Sequence, residues 1–315
     1  MQAKTRKILK YGVIVAIALF VVADLTILFP RQAATVPMAV LHAGGRSGFC
    51  EYDDSLHALE EIWIRGDALY KQESAARKVR EDGRLTLWET RNGPLWVPTR
   101  DELGFAPLLA EQDRKIYGDV HPGDVVIDAG ANIGDFTRTA LDAGASLVVA
   151  VEIAPDTLEA LRRNLADEID AGRVIVYDKG ISDSDSTMML RTATGFGSGL
   201  DSVFDDGRPR EDAVEVQLTT IDKMVEELKL PHIDLIKLDV EGAEVPGVVG
   251  ASKVIARDKP RFVFDAENFR QEDVDRITEE LYAADPNYRM HSNACVFLWS
   301  DIRIRADVVG FEVEK

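Results

Sequence analysis

The stretch VVIDAGANIGDFTRTAL, residues 125–141, decides the fold of this chain. Its aliphatic start is typical of a buried strand and leads to Asp128, after which Gly130 and Gly134 flank Asn132. A helical pattern begins directly after the second glycine. A strand, a glycine turn and a helix in this order start an open α/β sheet, in which ligands bind beyond the carboxyl ends of the strands.

The spacing of the turn favours a ligand without a diphosphate. A dinucleotide fingerprint has the form G-x-G-x-x-G, in which bare backbone faces a pyrophosphate, whereas here Asn132 replaces the middle glycine. A carboxylate at Asp128 can either orient the turn or meet the ammonium of a ligand. Glu152 closes the next strand, 22 residues after Gly130. An acid there can accept both ribose hydroxyls of S-adenosylmethionine (SAM) or of NAD.

From about residue 120 onward, strand-like runs alternate with helical patterns. Near-continuous aliphatic strands between helices imply a mainly parallel sheet that is covered on both faces. The strand-like runs are Val125–Asp128, Leu147–Glu152, Val174–Tyr177, Leu235–Asp239 and Phe262–Asp265. Two further runs, at 293–300 and 301–313, predict antiparallel strands that close the sheet edge.

Acidic residues follow the third and fourth strands. The fourth lies in the run DLIKLDVEGAE, where Lys237 and Asp239 interrupt aliphatic residues, and buried charges are costly unless they are paired. Asp239 stands at the carboxyl end and is a candidate for the chemistry; an ion pair with Lys237 is the structural alternative. Asp178 and Asp183 are candidates for contact with an adenine amine, with a solvated loop as the alternative.

The first 30 residues predict a single membrane anchor. In the 18-residue segment Gly12–Phe29 only Asp24 is charged, and at 1.5 Å per residue this segment nearly crosses a hydrocarbon core. A cleaved signal peptide is the alternative. The basic residues before the segment predict a cytoplasmic N-terminus, which places the body outside the cytoplasm, where SAM is not made. Protease protection of membrane vesicles distinguishes the two sides.

The remainder of the chain divides by composition. Residues 31–54 show no regular spacing of apolar residues, which indicates a linker. Residues 55–118 predict a helix and a β-hairpin, which turns at Asn92-Gly93. Residues 119–315 form the α/β domain.

The charge of the chain restricts its partners. The net charge is -18, and removing the four basic residues among the first ten leaves -22 (-18 minus 4). Such a body repels phosphate backbones, which argues against a nucleic acid partner. The oligomeric state does not follow from the sequence.

Five segments together resemble the FkbM family of SAM-dependent methyltransferases. They are DVVIDAGANIGDFT, VVAVEIAPDTLEALRRN, KGISDSDS, LTTID and DLIKLDVEGAEVPGVVGA, between residues 123 and 265. The resemblance implies a class I methyltransferase fold: a Rossmann-like, mostly parallel sheet of seven strands, with helices on both faces and a reversed last strand. It also implies methyl transfer from SAM to an oxygen, commonly a hydroxyl of a sugar, polyketide or other natural product.

The resemblance implies roles for individual residues. The SAM loop comprises Asp128, Gly130, Asn132 and Gly134. Glu152 holds the ribose, Asp178 or Asp183 flanks the adenine, and Asp239 faces the donor–acceptor junction. One departure is the run Glu-Ile-Ala-Pro at 152–155, where family members usually have Glu-Pro.

The acceptor side offers several acids. The general base that an alcohol acceptor requires is Asp239, or an acid of the pair Asp265 and Glu267. A divalent metal held by Asp239 with Asp265 or Asn268 is the alternative.

Two other functions compete with this prediction. A nicotinamide-dependent oxidoreductase could use a similar sheet, although Asn132 opposes a pyrophosphate. A membrane-anchored binding module could keep the fold without turnover. For the methyltransferase we expect a small-molecule or glycan acceptor, and the anchor favours one at the membrane, such as a glycolipid.

Overall fold

The computed structural model describes residues 76–101, 120–193, 210–266, 269–298 and 303–314. The predicted anchor and linker lie outside these residues, as do Glu267, Asn268 and the predicted first helix up to residue 75. The prediction that this helix reaches about residue 80 is wrong, because Arg77–Asp82 form a β-strand. None of the helices in the described ranges is both long enough and apolar enough to cross a membrane. The chain divides into two compact units, Met1–Gly66 with Ala294–Ala306 and Asp67–Asn293 with Asp307–Lys315. The candidate site belongs to the second unit.

Strands and short helices alternate through most of the described residues. The strands are β1 (Arg77–Asp82), β2 (Leu85–Thr90), β3 (Gly93–Pro98), β4 (Val125–Ala129), β5 (Leu147–Val151), β6 (Val174–Tyr177), β7 (Gly180–Ile181), β8 (Ser186–Ala193), β9 (Arg210–Thr219), β10 (Leu235–Leu238), β11 (Arg261–Asp265), β12 (Tyr288–Leu298) and β13 (Arg303–Val313). The helices are α1 (Asp135–Asp142), α2 (Pro155–Asn164), α3 (Ala166–Asp170), α4 (Ile221–Leu228), α5 (Glu244–Val249), α6 (Ser252–Asp258) and α7 (Gln271–Ala284).

The main sheet has seven strands in the order β12-β13-β11-β10-β4-β5-β6. Strands β6, β5, β4, β10 and β11 pair in parallel, and β13 runs antiparallel to β11. The prediction of a mostly parallel sheet with a reversed last strand is confirmed. The chain leaves β4 for β5 on one side and returns to β10 on the other side. The carboxyl end of β4 is therefore the switch point at which such sheets bind ligands.

The central strands are buried because helices cover both faces. Every residue of β4 and β10 is buried. The helix α1 buries Phe136, Thr137, Ala140 and Leu141, which share one face of the helix. This spacing is that of an amphipathic helix, and each fully buried large apolar side chain contributes about 1.5–3 kcal/mol.

A separate sheet of three strands, β1-β2-β3, precedes the main sheet. The strands β2 and β3 pair antiparallel up to Thr90 and Gly93, which confirms the predicted hairpin. Its apolar side chains form a buried cluster with residues from α2 and the glycine loop. The cluster contains Leu85, Leu95, Val97, Ile133 and Ala160, with Trp88 and Trp96 packed against it.

Asn164 connects this hairpin with the glycine loop. Its Oδ1 accepts a hydrogen bond from the backbone N–H of Trp96 at 2.8 Å. Its Nδ2 donates to the carbonyl oxygens of Trp96, at 2.9 Å, and of Ile133, at 3.0 Å. One amide side chain therefore joins β3, the end of α2 and the loop that follows β4.

Replacement of Asn164 by alanine should destabilise the domain. The change removes three hydrogen bonds, each with a net contribution of about 0.5–1.5 kcal/mol, and leaves backbone groups without their partner. We expect a loss of about 2–3 kcal/mol in the free energy of unfolding, measured by urea denaturation.

Gln271→Ala is the matched control, because this exposed amide bonds only to Asp275 among the hydrogen bonds described for it. Its effect should stay within about 0.5 kcal/mol. Equal effects for the two variants would contradict the linking role of Asn164.

Candidate functional site

The parallel strands of the main sheet bring a row of acidic residues to its carboxyl edge. Asp128 is the penultimate residue of β4, and Asp265 is the last residue of β11. Glu152, Asp178 and Asp239 directly follow β5, β6 and β10. Each of the five parallel strands therefore delivers one acid to the edge that contains the switch point.

The glycine loop lies directly against the end of β10. Gly130 has a φ of +80°, and a Cβ there would lie 1.8 Å from the carbonyl oxygen of Asp239. The backbone N–H of Asp239 in turn donates to the carbonyl of Ala129 at 3.1 Å. Only glycine allows this approach, because it adopts a positive φ without a side chain that would clash.

The second loop glycine serves helix packing. Gly134 has a φ of +95°, and a Cβ there would lie 2.7 Å from the side chain of Leu165 and 2.9 Å from that of Leu161. Its lack of a side chain lets the start of α1 pack against the neighbouring helical segment. Between the glycines, Asn132 has a φ of +49°, a left-handed conformation that asparagine tolerates better than most residues.

Glu152 connects the loops after β4 and β5 through hydrogen bonds. One carboxylate oxygen accepts the backbone N–H of Asn132 at 3.0 Å. The other accepts the N–H groups of Ile153, at 2.7 Å, and Ala154, at 2.8 Å. The residue predicted to hold a ribose is thus half-buried where the loops after β4 and β5 meet.

Asp128 lies below the crevice, with no exposed surface. One of its oxygens accepts the hydroxyl of Thr137 at 2.6 Å, and the other lies 3.3 Å from the ammonium of Lys237. Of the two roles that the sequence allowed, this placement favours orientation of the turn.

Lys237 is buried between two carboxylates. Its ammonium lies 3.3 Å from Asp128 and 3.2 Å from Asp239, and it donates to the carbonyl of Gly130 at 3.1 Å. Burial alone lowers the pKa of Lys237, but the carboxylates of Asp239 and Asp128 outweigh it and raise that pKa above its ordinary value. The lysine is therefore cationic.

Asp239 is the one member of this group that reaches solvent, with 33% of its side chain exposed. Leu238 pairs with Phe264 across β10 and β11, so that Asp239 and Asp265 end adjacent strands. Parallel neighbours lie about 4.8 Å apart. The structure therefore brings two predicted catalytic residues together. Within its described ranges, it groups no three acidic, histidine or cysteine side chains that could hold a metal ion.

The two acids predicted for the adenine separate in the structure. Asp178 lies at the carboxyl edge of the main sheet, 63% exposed and 3.4 Å from Arg162. Asp183 follows β7, which belongs to a second small sheet. It lines a cleft of about 390 Å³ formed mainly by residues of α4 and α6.

Sequence reasoning did not identify Glu244 as part of the site. This buried carboxylate accepts the backbone N–H of Val240 at 3.0 Å and that of Gly242 at 3.1 Å. It thereby closes the loop that carries Asp239. Burial raises the pKa of Glu244 above its ordinary value, and the backbone hydrogen bonds only partly oppose this. The signal in the sequence was the repeated acid of the E-G-x-E run.

The small sheet explains the departure at 152–155. Ile153 and Ala154 are the two residues between the glutamate and the proline. They pack against apolar side chains of the second small sheet, whose strand order is β7-β9-β8. The cluster consists of Ala154, Leu190, Val216 and Leu218, with Ile153 and Met188 against it. The two residues that separate Glu152 from Pro155 therefore contribute to the packing of this second sheet.

The strand order and the glycine loop at the switch point define a methyltransferase-like α/β protein. Residues 128–290 match the methyltransferase FkbM domain. Because this match covers more than half of the chain, the protein belongs to the FkbM methyltransferase family.

One curated relative is the hexuronic acid methyltransferase AglP of Haloferax volcanii, which is 27% identical over 150 residues. The alignment covers 47% of this chain and 59% of that relative, so the chain spans under two thirds of its length.

Solved structures align at low TM-scores. The methyltransferase FkbM from Methylobacillus flagellatus gives a TM-score of 0.42 at 16% identity, over 87% of this chain and 65% of its own. An O-methyltransferase from Bacillus cereus in complex with SAH gives 0.37 at 14% identity, over 69% of this chain and 84% of its own.

The close approach of Gly130 to Asp239 predicts a large effect of Gly130→Ala. An alanine at 130 would be strained in the left-handed backbone conformation, and its Cβ would clash with the backbone carbonyl of Asp239. We expect a loss of more than about 3 kcal/mol in the free energy of unfolding, measured by urea denaturation.

Gly172→Ala is the matched control, because Gly172 has a φ of +70° with nothing within 4 Å of the added Cβ. Strain alone should then cost about 1–2 kcal/mol. If the two variants lost equal stability, the contact with Asp239 would not constrain the loop.

Glu244 should make stability depend on pH. A folded-state pKa above the unfolded value contributes stability that is fully present below the unfolded pKa and is lost as pH rises through the folded pKa. Glutamine does not titrate. The free energy of unfolding of the wild type, minus that of Glu244→Gln, should therefore fall between pH 4.5 and pH 7 in urea denaturation. A difference that stays constant or grows over this range would show that burial does not dominate at Glu244.

Proposed function

We propose that this protein transfers a methyl group from SAM to an oxygen of a sugar. The proposal combines the family match with the charge of the crevice at the end of β4. The negative charge around this crevice is the observation that favours SAM over a dinucleotide as the ligand.

The residues around the crevice suit a cationic ligand. Residues 128–135 include two aspartates and no lysine or arginine, and Glu152, Asp239 and Asp265 are each partly exposed at the same edge. The cation of Lys237 is shared between two carboxylates and a carbonyl. Such a site attracts the sulfonium and ammonium of SAM and repels the pyrophosphate of a dinucleotide. This favours SAM over the oxidoreductase alternative.

The glycine loop and Glu152 would hold SAM. Asp178, which follows the outermost parallel strand β6, lies at the same edge of the sheet. When bound, SAM supplies an electrophilic methyl group on a cationic sulfur. The protein must align the acceptor oxygen with that methyl group. Glu152 and Asn164 both hydrogen-bond to the glycine loop, and these bonds hold the loop rigid for such alignment.

Asp239 is placed to serve the acceptor. It is partly exposed, it touches the donor loop through its backbone, and Asp265 ends the adjacent strand. A hydroxyl acceptor must lose a proton, which Asp239 or Asp265 would accept. A carboxylate acceptor has no proton to lose and would need these acids only for positioning.

The acceptor class is proposed from the relative that is a hexuronic acid methyltransferase. A hexuronic acid presents both a carboxylate and hydroxyl groups. Transfer of a labelled methyl group to glucuronic acid, its methyl ester and glucose therefore separates the two kinds of oxygen. Transfer to the ester or to glucose would identify a hydroxyl acceptor. Transfer to glucuronic acid alone would identify its carboxylate if mild alkali releases the label, since a methyl ester is hydrolysed and a methyl ether is not.

Titration calorimetry with SAM and with NAD tests the donor directly. We expect heat of binding with SAM and none with NAD. Binding of NAD alone would favour the oxidoreductase, and SAM binding without transfer to any sugar acceptor would favour the binding module.

Asp239→Asn should separate chemistry from donor binding. If Asp239 accepts the proton of a hydroxyl, single-turnover methyl transfer should fall by about 10²–10⁴-fold, while the Kd for SAM changes less than about tenfold. Asp275→Asn, an exposed change on α7, is the control and should leave both quantities unaltered. An unchanged transfer rate in Asp239→Asn would remove this residue from the reaction.

A further inference from the structure

The ammonium of Lys237 has more partners than charge balance requires. Lys237 and Asp128 are direct cross-strand partners on β10 and β4, so their side chains point to the same face. Asp128 is fully buried, and one buried carboxylate already balances one buried ammonium. The contacts with Asp239 and with the carbonyl of Gly130 are therefore additional.

These additional contacts join the two segments that border the crevice. Gly130 belongs to the loop after β4, and Asp239 begins the loop after β10. An ammonium has three N–H donors, and three oxygens lie 3.1–3.3 Å from it: one from β4, one from the loop after β4 and one from the loop after β10. The loop after β10 also contacts the end of β4 directly, because the backbone N–H of Asp239 donates to the carbonyl of Ala129 at 3.1 Å.

We propose that Lys237 is a positioning residue that holds the Gly130 carbonyl and the Asp239 carboxylate in one rigid frame. This role rests on the proposed function, because the loop it holds is the proposed SAM loop. Lys237 lies beneath the crevice and is 3% exposed, so it acts through these two groups and does not touch substrate. Its removal should loosen the donor loop even in a correctly folded domain.

Two variants separate this role from simple charge balance. Lys237→Met removes the ammonium and leaves the buried Asp128 without its counter-ion, which is strongly destabilising. The double variant Asp128→Asn/Lys237→Met removes both buried charges, an exchange that is often neutral for stability. The double variant therefore restores the balance of buried charge but not the contacts with Gly130 and Asp239.

The measurements are urea denaturation and hydrogen exchange of the protein alone, and calorimetry with SAM. We expect Lys237→Met to lose stability and the double variant to recover most of it. In the double variant, the amides of residues 129–135 should exchange faster than in the wild type, while those of α7 do not change. Its Kd for SAM should rise by about tenfold or more, because small misplacements of a binding group have effects of this size.

Each outcome decides between the alternatives. A double variant that binds SAM within twofold of the wild type, with unchanged exchange at 129–135, would show that Lys237 only balances charge. A double variant that does not fold would assign Lys237 to the fold itself, and this also overturns the positioning role. If the wild type binds no SAM, the proposed function fails, and the role of Lys237 toward the donor fails with it.

Discussion

The pairing of Lys237 with Asp128 across β10 and β4 is the constraint on which the site depends. An ammonium in an aliphatic strand is unfavourable unless carboxylates surround it. Here one carboxylate, Asp128, comes from the neighbouring strand, and the other, Asp239, directly follows the lysine's own strand. The glycine loop must then approach β10 closely, which only a glycine at 130 permits. The lysine therefore constrains the geometry of the loop through its contact with the Gly130 carbonyl.

The same edge of the sheet explains why the crevice suits a cation. Parallel strands direct their carboxyl ends to one side, and an acid stands at or beside each of these ends. Glu152, one of these acids, and Glu244, at the start of α5, accept hydrogen bonds from backbone amides and so shape the loops. Asp239 and Asp265 lie at the ends of adjacent strands, on the side that we propose for the acceptor. Acidic residues at this edge therefore have two roles: some hold the loops in place, and others give the edge the negative charge that suits a cationic ligand.

The fold was largely predictable, and the site only in part. Aliphatic runs predicted the five parallel strands, and alternation around Asn92-Gly93 predicted the hairpin. The reversed last strand was implied by the resemblance to the FkbM family. The E-G-x-E run drew attention to Glu244 but did not predict its role, because a carboxylate that folds back onto its own loop has the same spacing as a solvated one. The separation of Asp183 from Asp178 was also hidden, because it follows from the second sheet, whose pairing is not local.

The sequence by itself determined the order of strand, turn and helix, the family, and the acidic character of the strand ends, since these follow from residue types at short spacing. Only the tertiary structure decided which acids are buried. Lys237 and the carbonyl it contacts at Gly130 are 107 residues apart, and their contact exists because β10 returns beside β4. Burial and pairing of charge depend on such long-range neighbours, which local patterns do not encode.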